Sequence, residues 1–156
     1  MTEATLSAVN RSVTVNASPE RAFEVFTAGF GSWWSIESHH IGSTMAVEVL
    51  IEPRAGGRWF ERDADGAECD WGFVTEYDPP HRLVLSWHLT HEYEFDPDPD
   101  KASEIEVRFT AQYGGTLVEL EHRGFERRTV GGAQTREAVS GTGGWTELLH
   151  MYAKTF

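Results

Sequence analysis

Thiols are almost absent from this chain: Cys69 is the only cysteine in 156 residues. No internal disulfide can form, and no thiolate zinc site can be built. A reducing compartment fits that usage. Positive charge is also scarce, with 13 Lys and Arg against 25 Asp and Glu and a formal net charge of −12. Nucleic-acid binding by phosphate neutralisation is therefore disfavoured, as is docking on anionic membranes. No apolar run approaches the roughly 20 residues of a membrane span. The opening MTEATLSAVNRSV has no apolar run and no basic lead, so no signal peptide is read. There is no HExxH pair, phosphate-cradling glycine loop or GxSxG elbow. The expectation is a cytoplasmic protein of one domain, residues 1–156, with no cofactor and no metal.

Aromatic residues are what the chain has in quantity: six Trp, nine Phe and four Tyr. They concentrate first in FEVFTAGFGSWW, where Phe23, Phe26, Phe30, Trp33 and Trp34 recur at steps of three and four. Ser18-Pro19-Glu20 predicts a helix start: serine caps, proline suits the first position and glutamate favours the positive dipole end. Gly29 is expected to end that helix in a left-handed conformation. A short second helix over Ser32–Ile36 would carry the two tryptophans. Phe23 and Phe26 read as core, and Phe30, Trp33 and Trp34 as the movable rim of a cup.

Alternation predicts strands over residues 8–16, 47–52 and 58–62, then a hairpin at Asp63–Gly66. Cys69, Trp71, Phe73, Thr75 and Tyr77 should share one face of the next strand, which Asp78-Pro79-Pro80 ends. Leu83, Leu85, Trp87 and Leu89 alternate next, followed by an acidic loop over His91–Lys101. Ile105, Val107 and Phe109, a turn at Gly114-Gly115, and Thr116, Val118, Leu120 and His122 complete the strands. Trp145, Leu148, Leu149, Tyr152 and Phe156 form an amphipathic stripe. Gly141, Gly143 and Gly144 argue locally for a break. The reading nonetheless favours one continuous helix from about 134 to 155, its glycines leaving room for a ligand or a ring. The fold class is α+β: a curved antiparallel sheet of six or seven strands wrapped around a long C-terminal helix, with two short helices after the first strand.

That order resembles the helix-grip fold of the START/Bet v 1-like (SRPBCC) superfamily, in the branch related to the activator of Hsp90 ATPase. The residues that carry the resemblance are Ala22-Phe23, Phe26, Trp33-Trp34, Gly56-Gly57-Arg58-Trp59, Asp65-Gly66, Trp71-Gly72, Leu83, Trp87, Thr116, His122-Arg123-Gly124-Phe125, Gly144-Trp145 and Leu148-Leu149. They span about Val9–Phe156. The chain also resembles actinomycete self-sacrifice proteins that confer calicheamicin resistance, through Gly29-Phe30, Asp96-Pro97-Asp98, Ser103-Glu104 and Glu121-His122. That second resemblance implies binding of a reactive natural product and loss of a glycine Cα–H to a drug diradical. Gly114 or Gly115 would be the donor.

The implied site is a cavity between sheet and C-terminal helix. Phe30, Trp33, Trp34, Trp59, Trp71, Phe73, Trp87, His122, Trp145 and Leu149 are its expected lining. His122 shares a face with Val118 and Leu120, so its imidazole needs a buried partner. It reads as a structural histidine, or as an orienting donor or general base. The other candidates read as bland. His39-His40 lie in a polar loop, and His88 and His91 fall on opposite faces. Asp96, Asp98 and Asp100 imitate a calcium loop that lacks its glycine and glutamate. Arg58, Glu61 and Arg62 read as surface ladder pairs, and Cys69 as an inert buried thiol. The expected function is to bind a hydrophobic, aromatic or polyketide-like small molecule. Alternatives are a polyketide cyclase or aromatase, a resistance protein and an Hsp90 partner. A homodimer is the expected assembly if the chain self-associates.

Overall fold

A computed structural model describes residues 6–34, 46–141 and 143–156. The expected His39-His40 loop and the end of the Ser32–Ile36 helix lie outside them. Seven antiparallel strands form one sheet in the order β1-β7-β6-β5-β4-β3-β2. They are β1 Val9–Val15, β2 Ala46–Ile51, β3 Arg58–Asp63, β4 Glu68–Asp78, β5 Arg82–Trp87, β6 Ser103–Gln112 and β7 Gly115–Arg123. Helix α1, Pro19–Phe26, leads into a 3-10 turn at Phe30–Ser32, and α2, Gly132–Ser140, and α3, Trp145–Ala153, close the chain. This is the curved half-barrel of a helix-grip fold, with its inner face covered by helices.

The period-two pattern of β7 sets that inner face: Thr116, Val118, Leu120 and His122 are buried, and Leu117, Glu119 and Glu121 are half-exposed. The outer face carries charge. Arg123 bonds Glu104, Glu106 and Glu121, and Arg82 reaches Glu106 and Glu76.

The entry to α1 follows the expectation, since the Ser18 hydroxyl accepts from the Arg21 amide at 3.2 Å. Its exit does not. Gly29 has φ −90°, so it is not left-handed. A Cβ there would sit 2.9 Å from the Val25 carbonyl oxygen, so close approach is what requires glycine. The rings beyond it pack into the core: Trp33 and Trp34 are buried, and the Trp33 indole donates to the Val25 carbonyl at 3.1 Å.

Two further expectations need correction. Phe73 does not share the face of Trp71. The β3–β4 register shifts between Trp59 and Phe60, leaving Trp71 as the extra residue of a bulge. Phe73 therefore turns outward, edge-on to His88 at 5.2 Å and near Phe95 at 6.3 Å. A second shift, between Val74 and Glu76, returns Tyr77 to the inner side, where its ring meets Phe23 at 5.4 Å. The C-terminal helix is also not continuous. Gly141 leaves α2 in extended conformation, and Gly144 starts α3. A Cβ on Gly144 would lie 2.1 Å from the Val139 carbonyl oxygen. The glycine thus makes room for the end of α2, where a ligand or a ring was expected.

Candidate functional site

Indole and phenyl rings from five elements meet beneath the helices. Phe30 and Trp34 are 4.9 Å apart, Trp34 and Trp71 5.1 Å, and Trp71 and Trp59 5.3 Å. The chain of rings continues from Trp59 to Trp87 at 5.8 Å and from Trp87 to His122 at 5.1 Å. Trp145 closes it from α3, 6.1 Å from Trp34 and 6.4 Å from Trp87. Leu149 lies buried one turn further on. The structure therefore brings together nine of the expected residues and leaves Phe73 on the other face. Such tilted and edge-on pairs contribute about 0.5–1.5 kcal/mol each beyond their burial.

Each indole N–H in that cluster needs an acceptor. Trp59 donates to the Ser86 carbonyl at 2.8 Å, and Trp71 to Glu61 Oε1 at 2.9 Å. Trp145 donates to His122 Nδ1 at 3.0 Å. Trp87 Nε1 is buried with no partner.

The Trp145 bond fixes the state of His122. An indole nitrogen only donates, so Nδ1 is the acceptor and the neutral ring carries its hydrogen on Nε2. Nε2 then donates to Ser103 Oγ at 2.7 Å. Full burial lowers the His122 pKa to about 3, so the ring is uncharged at neutral pH. With its basic lone pair engaged, this imidazole orients Ser103 and does not serve as a free base in this arrangement. Ser103 carried part of a resemblance but was not among the expected site residues. Its signal was there: it precedes Ile105, Val107 and Phe109 in the same alternation, and it pairs with Trp87 across the sheet.

Glu61 was missed as well. It is only 2% exposed, on the inner face, and its carboxylate takes the Trp71 N–H. The pattern could have shown this, because Glu61 stands two residues after inward Trp59. Arg58, Phe60 and Arg62 alternate with them, and both guanidinium groups lie over the Phe60 ring on the outer side. They pair there with Glu48, Glu68 and Asp70. Cys69 is opposite Glu61 and partly covered. Burial, with Glu61, Asp63 and Asp70 nearby, pushes its thiol pKa up, so it stays protonated and unreactive.

Behind the sheet, the acidic loop packs down. His88 stacks on Phe95, ring to ring at 5.4 Å, and its Nδ1 donates to the Asp96 carbonyl at 2.9 Å. Asp96 Oδ1 accepts from the Asp98 amide, and Oδ2 accepts from Arg128 at 2.9 Å. Those bonds hold the Asp96 carboxyl below its usual range. Among the described residues no three His, Cys, Asp or Glu side chains gather as metal ligands. No helix among them is long and apolar enough to cross a membrane.

A curved antiparallel sheet closed by a C-terminal helical pair, with an aromatic interior, defines the helix-grip class. Residues 16–156 match the family model for activator of Hsp90 ATPase homolog 1-like protein, and the chain belongs to that family. The solved anthrahydroquino-gamma-pyrone synthase Txn09 is 39% identical over 100% of both chains, with a TM-score of 0.68. The self-sacrificing resistance protein CalC of Micromonospora echinospora is 30% identical over 95% of this chain and 92% of its own, with a TM-score of 0.66. The Aha1 dimer of Colwellia psychrerythraea, 16% identical over 96% of each chain with a TM-score of 0.63, shares the fold. A 68-residue stretch is 31% identical to a glucose-1-phosphate adenylyltransferase of Halalkalibacterium halodurans, covering 44% of this chain and 17% of that enzyme.

Proposed function

We propose that this cytoplasmic protein binds a flat aromatic, polyketide-like small molecule against the indole surface between the sheet and the C-terminal helices. The observation that carries the reading is the run of rings from Trp34 through Trp71, Trp59 and Trp87 to His122, which holds polar points at both ends. Glu61 marks one end, and Ser103 with His122 the other. Flat ligands gain stacking and burial on such a surface, while a few polar groups fix their pose. In the present arrangement Trp34 covers Trp71 and Trp145, so entry requires the Trp33–Trp34 segment to lift. The whole-length likeness to a synthase of an aromatic polycycle supports the ligand class.

Anthraquinone and its hydroxylated analogue alizarin test this directly. Saturable quenching of tryptophan fluorescence by either dye is the expected result. No quenching by either, at concentrations up to their solubility, would sink the reading.

One observation favours a second reading, cyclisation of such a ligand. Glu61 places a buried carboxylate beside the ring surface, where it can move a proton. The resistance reading has less support from geometry. Gly114 and Gly115 form the turn beside exposed Tyr113. That turn lies roughly 25 Å along β7 from His122 at about 3.3 Å per residue. A homodimer remains a separate proposal, which sedimentation velocity decides.

A further inference from the structure

A small cavity opens behind the His122 network, between β5, β6 and the start of α2. Trp87, Leu89, Lys101, Ser103, Phe125, Arg128, Gly132 and Thr135 line it. Its volume is about 10 Å³, room for a single oxygen atom. Three of its lining residues carry a buried polar atom with no hydrogen-bond partner: Trp87 Nε1, Arg128 Nη2 and Thr135 Oγ1. Their residues are 8%, 9% and 8% exposed. Buried donors left unpaired in this way are rare, and three around one space point to an occupant.

Donors outnumber acceptors in the lining. An indole N–H and a guanidinium N–H can only donate. Arg128 has its other terminal nitrogen on Asp96, so its position is fixed. Ser103 Oγ accepts from His122 Nε2, which leaves the hydroxyl hydrogen free to turn elsewhere. Thr135 adds another hydroxyl. No acidic side chain lines the space, and exposed Lys101 stands at its edge. Among the side chains of the lining, a water could donate only to the two hydroxyl oxygens, whereas every polar group there can donate to an anionic oxygen. An oxygen that only accepts, and carries negative charge, suits this lining better.

We propose that this cavity is an oxyanion pocket, which takes the phenolate or enolate oxygen of the bound aromatic ligand. The Trp145–His122–Ser103 chain is its support: each bond orients the next, so the serine hydrogen faces the pocket. His122 is then a positioning residue. The inference rests on the reading that an aromatic ligand binds here, and it narrows the ligand to one with an ionisable oxygen. When that oxygen ionises, only its O–H bond breaks and the proton passes to the buffer.

Alizarin reports ionisation through its colour, and anthraquinone, which lacks the hydroxyls, reports binding alone. The wild-type chain is expected to bind both, and bound alizarin to ionise at least one pH unit below the free dye, a tenfold shift. Thr135→Val removes one donor with little change of volume, Trp87→Phe removes another while keeping a smaller aromatic ring, and each should reverse at least threefold of that shift. Ionisation of bound alizarin at the free-dye pH overturns the pocket, while the anthraquinone signal leaves the binding reading standing. A shift that neither variant alters also overturns it, since the charge is then held elsewhere. If neither dye binds, the reading and the pocket fall together. The wild-type titration decides even if one variant does not fold.

Discussion

The indole N–H of Trp145 on α3 donates to Nδ1 of His122 on β7, across a distance of 3.0 Å. This bond ties the last helix to the centre of the sheet. It also selects the imidazole tautomer, and so sets Ser103 as an acceptor. Trp145→Phe keeps a smaller aromatic ring and removes the donor. It leaves Nδ1 buried and unpaired, a cost of about 1–3 kcal/mol. At roughly 2–4 °C per kcal/mol for a chain of this size, the melting temperature should fall by about 2–12 °C. An unchanged melting temperature would show that the bond contributes nothing.

The pH dependence of stability should carry the signature of His122. Its folded pKa, about 3, lies below the ordinary histidine value of 6.5. The unfolded chain therefore binds more protons between those values, and stability rises with pH across that window. This contribution is fully present above about pH 6.5 and is lost as the pH falls towards 3. Its slope approaches about 1.4 kcal/mol per pH unit at most. Urea denaturation of wild type and His122→Leu at pH 7 and pH 4.5 isolates it, because the variant keeps the carboxylates that also titrate. A wild-type loss no larger than the variant's would contradict a buried neutral imidazole.

Gly72 should tolerate no side chain. A Cβ there would fall 1.8 Å from the Ser86 carbonyl oxygen and 2.5 Å from Trp59 Nε1. That is the bond between Trp59 and β5, at 2.8 Å. Gly72→Ala must push the strands apart or break it, for about 3 kcal/mol. Gly66→Ala is the control: it is a positive-φ turn glycine with open space around it, and should cost about 1 kcal/mol. Equal losses for the two in denaturant melts would refute the crowding argument.

The strand pattern and the C-terminal stripe were legible because inward and outward residues alternate along β6 and β7. The inward turn of His122 followed from Val118 and Leu120 alone. Phe73 was misplaced because a bulge adds a residue to β4 without leaving a mark in the alternation. Glu61 was overlooked because charge suggested the surface, although its distance from Trp59 fixed its face. The break before Trp145 was written in three glycines. A preference for one long helix overrode them, and only the approach of Gly144 to the Val139 carbonyl shows why they are needed. The orphan atoms around the small cavity have no sequence signal, since Trp87, Arg128 and Thr135 meet only through folding.

On the outer face, Glu106 sits between Arg82 and Arg123, at 2.6 Å from each. Burial opposes its charge, but the bonds from Arg82 and Arg123 outweigh that and lower its pKa. The stability this pairing adds is present above the usual carboxylate pKa and is lost as pH falls below it. Glu106→Gln should cost about 1–2 kcal/mol at pH 7. Wild type and variant should converge in acid, as Glu106 takes up its proton. Parallel melting curves at every pH would show that the charge is immaterial.

Glu61 supplies the sharpest separation between binding and catalysis. Gln at this position retains an oxygen for the Trp71 N–H, now held at 2.9 Å, and removes the charge. Leu removes the acceptor too, and should cost about 1–3 kcal/mol through the orphaned indole. Glu61→Gln should therefore melt close to wild type and quench equally with anthraquinone. If the carboxylate moves a proton during cyclisation, the same variant should lower turnover of a linear aromatic polyketide by about 10²–10⁴-fold. Full turnover in Glu61→Gln would dismiss the carboxylate as the acid–base group. A fall in dye binding alone would make Glu61 a binding residue, with enclosure by the rings as the remaining source of any acceleration.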